Sequence, residues 1–98
     1  MNVKEQLEKE SRINHLILVM FYADWSPHYE WLEPTIKEYE QQVEAVIKIN
    51  ITENENLAVL YDAEDVPTFI LMRKGHQLWK YTGELTPESL RYVLEQYK

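Results

Sequence analysis

The chain has 98 residues, 45% of them hydrophobic and 28% charged, with a net charge of −7 and no cysteine. This apolar content excludes a chain that is disordered throughout, and the missing cysteine excludes a disulfide scaffold, a thiolate metal site and a thiol nucleophile. The acidic balance leaves neither the basic footprint that nucleic acid requires nor a polybasic membrane patch. Area scaling gives roughly 6,000 Å² exposed of roughly 17,000 Å² in the unfolded chain, enough to bury one core, so residues 1–98 are expected to form a single domain. Met1 to Arg12 alternates charge with no apolar leader, and the longest apolar run, Leu16 to Ala23, is too short to span a bilayer. The cytoplasm is the expected location.

In chain order, Val3 and Leu7 predict a short surface helix. Leu16 to Ala23 has no polar alternation, the mark of a strand covered on both faces at the centre of a sheet. Ser26 caps a predicted helix with Pro27 at its first position, and Leu32, Ile36, Tyr39 and Val43 share one face of it. Pro34, inside that helix, removes a donor and predicts a kink. Ala45 to Ile51 reads as a second strand, with Ile47, Ile49 and Ile51 on one face.

Thr52-Glu53-Asn54-Glu55 reads as a capping box that opens a short helix carrying Leu57, Leu60 and Tyr61. Thr68 to Arg73 and Gln77 to Tyr81, joined at Lys74-Gly75, predict an antiparallel hairpin. Thr86 and Pro87 open the last helix, whose stripe is Leu90, Val93, Leu94 and Tyr97, with Leu85 stapled to Leu90. The order α-β-α-β-α-β-β-α, with a right-handed β-α-β crossover, places helices on both faces of a four-stranded mixed sheet.

Phe21-Tyr22-Ala23-Asp24-Trp25-Ser26-Pro27-His28-Tyr29 resembles the active-site segment of the thioredoxin family. That family has an apolar strand, then Ala-x-Trp-Cys-x-x-Cys at a helix start, then a proline within the helix. Ala23, Trp25 and Pro34 match. About forty residues further on, Val66-Pro67-Thr68 matches the stretch that carries the family's cis proline. Lys48, Asn50, Ala58, Tyr61, Gly75 and Gly83 also fit, and the resemblance runs from about residue 14 to the C-terminus, without the extra N-terminal strand of larger members. It implies a thioredoxin-like fold.

The departures fall on the chemistry. Ser26 and Tyr29 occupy the places of the nucleophilic and resolving cysteines, and Met20 the place of a buried acid that assists proton transfer. Thiol–disulfide exchange requires a thiolate to attack sulfur and a second thiol to resolve the adduct. Lys48 would pair the buried acid in a redox-active relative; beside Met20 its stem should pack while its head reaches solvent. Ser26 with His28 as base has no orienting third group, so Ser26 reads as a helix cap. His28, His15 and His76 show no ligand pattern, and no metal or cofactor is expected.

Trp25, Tyr29 and Trp31 form either an aromatic contact patch or a shield over the sheet edge. The acidic residues Glu53, Glu55, Asp62, Glu64 and Asp65 read as a solvated surface that could attract a basic partner. With sulfur chemistry removed, the expected function is to bind a protein or extended peptide, chaperone-like, on the face of Trp25, Pro27, His28, Tyr29, Val66, Pro67, Thr82 and Gly83. An oxidoreductase role in redox homeostasis is the alternative if the natural chain carries cysteine at position 26. A structural homodimer, in which exposed sheet edges or the aromatic face are paired, is the third reading.

Overall fold

The fold is taken from a computed structural model, which describes Glu5, Lys9, residues 16–23, Trp25 and residues 29–97; for residues 29–34 only the backbone is described. Glu5 and Lys9 are helical; Val3 and Leu7, on which that helix was predicted, lie outside the described residues. The first strand, β1 (Leu16–Tyr22), is buried through its middle five residues, as an unbroken apolar run at the centre of a sheet must be. It pairs in parallel with β2 (Ala45–Asn50) and antiparallel with β3 (Thr68–Arg73), which in turn pairs antiparallel with β4 (His76–Thr82). The sheet order is β2-β1-β3-β4.

Alternation along the strands sorts the side chains into two cores. On one face Leu18, Met20, Phe69 and Leu71 meet Ile36 and Tyr39 of helix α1 (Tyr29–Glu40) and Leu90 and Leu94 of helix α3 (Pro87–Glu95). On the other, Ile17, Val19, Phe21, Ile47, Ile49, Ile70 and Met72 meet Leu57 of helix α2 (Glu55–Leu60) and Ala63 just after it. Helices therefore cover both faces of a four-stranded mixed sheet.

The joins follow local chemistry. Lys74 and Gly75 both adopt positive φ, 51° and 79°, the geometry a two-residue hairpin turn requires. A bulge between Leu71 and Met72 leaves Leu78 as the extra residue on β4, so Leu78 and Trp79 both reach the same core cluster. Thr86 caps α3 by accepting from the Ser89 amide at 3.1 Å, with Pro87 opening the helix, and Leu85 and Leu90 are buried together as a staple. α2 ends in a Schellman motif: Ala63 N–H donates to Ala58 O at 2.7 Å and Asp62 N–H to Val59 O at 3.1 Å, with Asp62 at φ 52°.

Several expectations are corrected. The Thr52–Glu55 capping box does not form: Asn54 is the N-cap and makes no side-chain cap bond. Asn50 competes for these groups, its Oδ1 accepting from Thr52 N–H at 2.9 Å and its O from Asn54 Nδ2 at 3.0 Å. Of the residues named for this helix, Leu57 is buried beside Ala58, whereas Leu60 is 65% exposed and Tyr61 lies at the C-cap. Val43 lies beyond the end of α1, yet its N–H still donates to Tyr39 O at 3.2 Å, and this last turn keeps it on the buried face. Ile51 lies past β2 but continues its pairing through an N–H bond to Tyr22 O. Pro34 falls within α1 without ending it.

Candidate functional site

Three connections meet at one end of the sheet because of strand direction. Tyr22, at the end of β1, is level with Asn50, at the end of β2, and Phe21 is level with Thr68, at the start of β3. The loop after β1, the loop after β2 and the loop before β3 therefore emerge together. Thr68 also pairs with Thr82, which brings the end of β4 to the same rim.

The Val66–Pro67 loop is anchored there. Its peptide bond is cis. Pro67 O accepts from Gly83 N–H at 2.9 Å, and Thr68 Oγ1 lies 3.0 Å from Thr82 Oγ1 while donating to Asp65 O. Pro67 and Thr68 are buried, whereas Val66 is half-buried and Thr82 is exposed. Of the residues expected to form the face, Val66, Pro67, Thr82 and Gly83 are thus held in one hydrogen-bonded unit. Gly83 sits at φ 124°, a conformation side chains rarely adopt, so a substitution there would strain the strand exit.

Trp25 is 66% exposed. It lines a groove of about 410 Å³ together with Ile51, Thr52, Glu55, Ala58, Val59 and Glu64. Val59 is itself 63% exposed. The sequence reading missed this groove. A signal was available, since Leu57, Ala58, Val59 and Leu60 are four consecutive apolar residues and one helical face cannot bury all four.

Ser26, Pro27 and His28 lie outside the described residues, and Tyr29 is described only as the first residue of α1. Met20 is buried in the core against α1 and α3. Its strand neighbour Lys48 is exposed, as expected of a lysine with no buried acid to meet. Among the described residues, no group of three or more His, Cys, Asp or Glu side chains is placed to hold a metal ion, and no helix is long and apolar enough to cross a membrane.

A parallel β-α-β unit followed by an antiparallel hairpin and a closing helix, with a cis X–Pro bond just ahead of the strand that pairs with the end of the first, defines a recognisable class of α/β domain. A sequence profile described as Thioredoxin matches residues 2–96. The chain is 33% identical over 86 residues to Thioredoxin-T of Drosophila melanogaster, covering 84% of this chain but 54% of that protein. It is 31% identical over 84 residues to thioredoxin of Synechocystis, covering 83% of this chain and 78% of that one. A mutant thioredoxin from Halobacterium salinarum superimposes with a TM-score of 0.86 at 33% identity, covering 95% of this chain and 83% of that one. The chain belongs to the thioredoxin family. It carries no cysteine, although thioredoxins are normally oxidoreductases.

Proposed function

We propose that this protein is a redox-inactive thioredoxin domain that binds protein or extended peptide without covalent chemistry, on the face of Trp25, Pro27, His28, Tyr29, Val66, Pro67, Thr82 and Gly83. The observation that carries the reading is Trp25, 66% exposed and lining a groove with Ile51, Ala58 and Val59, in a chain without sulfur nucleophiles. A large indole left in water beside apolar walls is the kind of anchor that dominates protein interfaces. Serine at a helix start cannot replace the thiolate, because a helix N-terminus lowers a thiol's pKa into the useful range but leaves a hydroxyl far above it. Glu55 and Glu64 in the groove lining favour clients that join basic residues to an apolar segment.

Two assays test the two halves of this reading. Reduction of insulin by dithiothreitol should proceed no faster with the protein than with buffer, and turnover above that control would restore the oxidoreductase alternative. Capture of a client should fall about tenfold or more in Trp25→Ala, the loss typical of a buried aromatic hot spot. A second reading, a homodimer, is favoured by Val59 and Leu60, exposed on consecutive positions of α2. Sedimentation across a concentration series separates it, since a dimer through this face would dissociate in Trp25→Ala.

A further inference from the structure

A second groove lies between β4 and α3, away from the Trp25 groove. Trp79 and Tyr81 are two apart on β4 and so share a face of the sheet. Their rings are parallel, 5.9 Å between centroids with an interplanar angle of 3°. Glu88 and Tyr92 are four apart on α3 and share a helical face. Together with Glu84 and Leu85 of the connection, these residues line a cavity of about 400 Å³. Tyr81 and Tyr92 are 43% and 68% exposed, so core packing does not account for them.

The charged residues that line this cavity are both acidic: Glu84, which already has a partner within the chain, and Glu88. Lys80, between Trp79 and Tyr81 in sequence, is turned to the opposite face of the sheet, where its Nζ lies 3.4 Å from Asp62 Oδ2. Aromatic ring faces attract a partly desolvated organic cation, and carboxylates beside them supply strong acceptors for its N–H groups. The net charge of −7 draws partners of the same positive sign from a distance and repels nucleic acid and anionic membrane.

We propose that the Trp79–Tyr81–Tyr92 groove is a second binding site, which takes an arginine or lysine side chain of a basic polypeptide. It does not rest on the function proposed for the Trp25 face. The test is a titration of the isotope-labelled protein at low salt, followed by NMR, with an end-blocked tetra-arginine peptide and with tetra-alanine and tetra-glutamate as controls. Tetra-arginine should shift the Trp79 indole N–H and the Tyr92 amide saturably, and the controls should not. Tyr92→Ala, at an exposed position the fold does not need, should weaken binding about fivefold. Glu88→Gln should weaken it about threefold at low salt, with the difference vanishing at high salt. Saturable shifts centred on Trp25 instead, an equal response to tetra-alanine, no shift with tetra-arginine, or unchanged affinity in Tyr92→Ala would each overturn the proposal.

Discussion

Tyr39 links the two helices that cover one face of the sheet. Its ring is fully buried, edge-on to Phe69 at 5.7 Å, and its hydroxyl donates to the carbonyl of Leu85, just ahead of α3. Burial, and secondarily the negative charge of Glu38, pushes the phenol well above the usual tyrosine range. Replacing it by Phe leaves the Leu85 carbonyl without this donor and should cost about 1–3 kcal/mol. The pH dependence follows from linkage. The folded phenol holds its proton after an unfolded one, near pH 10, has lost it, so stability is full below about pH 10 and falls above it by up to about 1.4 kcal/mol per pH unit. Urea unfolding from pH 9 to 11 should show this extra slope in the wild type and not in Tyr39→Phe. A slope shared equally by both proteins would assign it elsewhere.

At this scale the sequence placed Tyr39 on the inner face of a helix by spacing alone. It could not show the Leu85 carbonyl, because that partner is 46 residues away. The same holds for Met20: an apolar run gives its burial, while its closeness to Ile36 and Leu90 depends on how α1 and α3 fold back over the sheet.

At the scale of elements, the two helix starts make an instructive pair. Thr86-Pro87 was legible as a helix start and forms one, with the Thr86 hydroxyl accepting from the Ser89 amide. Thr52-x-x-Glu55 has the same kind of signature and fails, because the Asn50 side chain takes the Thr52 amide first. Signatures of this kind specify which groups can bond and not which bond prevails. The measurable consequence is an asymmetry under urea: Thr86→Ala should lose about 0.5–2 kcal/mol, while Thr52→Ala should stay within about 0.5 kcal/mol of the wild type. Equal losses would mean that Thr52 contributes to a cap after all. The strands were the most legible elements, since a run buried on both faces and a two-residue turn of positive φ leave few alternatives. Phe69, the second residue of β3 and fully buried, should cost about 3–5 kcal/mol on replacement by Ala, read as a lowered urea midpoint with an unchanged slope.

At the scale of the whole molecule, the sheet order gathers segments near residues 25, 51, 66 and 82 at a single rim. The family resemblance touched all four segments, the fourth only at Asn50 and Ala58. Ile51 and Val59 carried no signal of their own and count as groove wall only because they line a cavity together with Trp25. The β4–α3 groove was equally hidden, since Trp79, Tyr81 and Tyr92 read as ordinary strand and helix residues until the bulge and the helix position are known.

The proposed grip on clients by contact alone, with Trp25 as the anchor, is tested by quantitative capture of one client by the wild type and by Trp25→Ala, each with and without excess dithiothreitol. Capture by the wild type that is indifferent to reductant, and about tenfold or more lower in Trp25→Ala, is the predicted result. Capture that disappears under reductant, or that is equal for the two proteins, would contradict it.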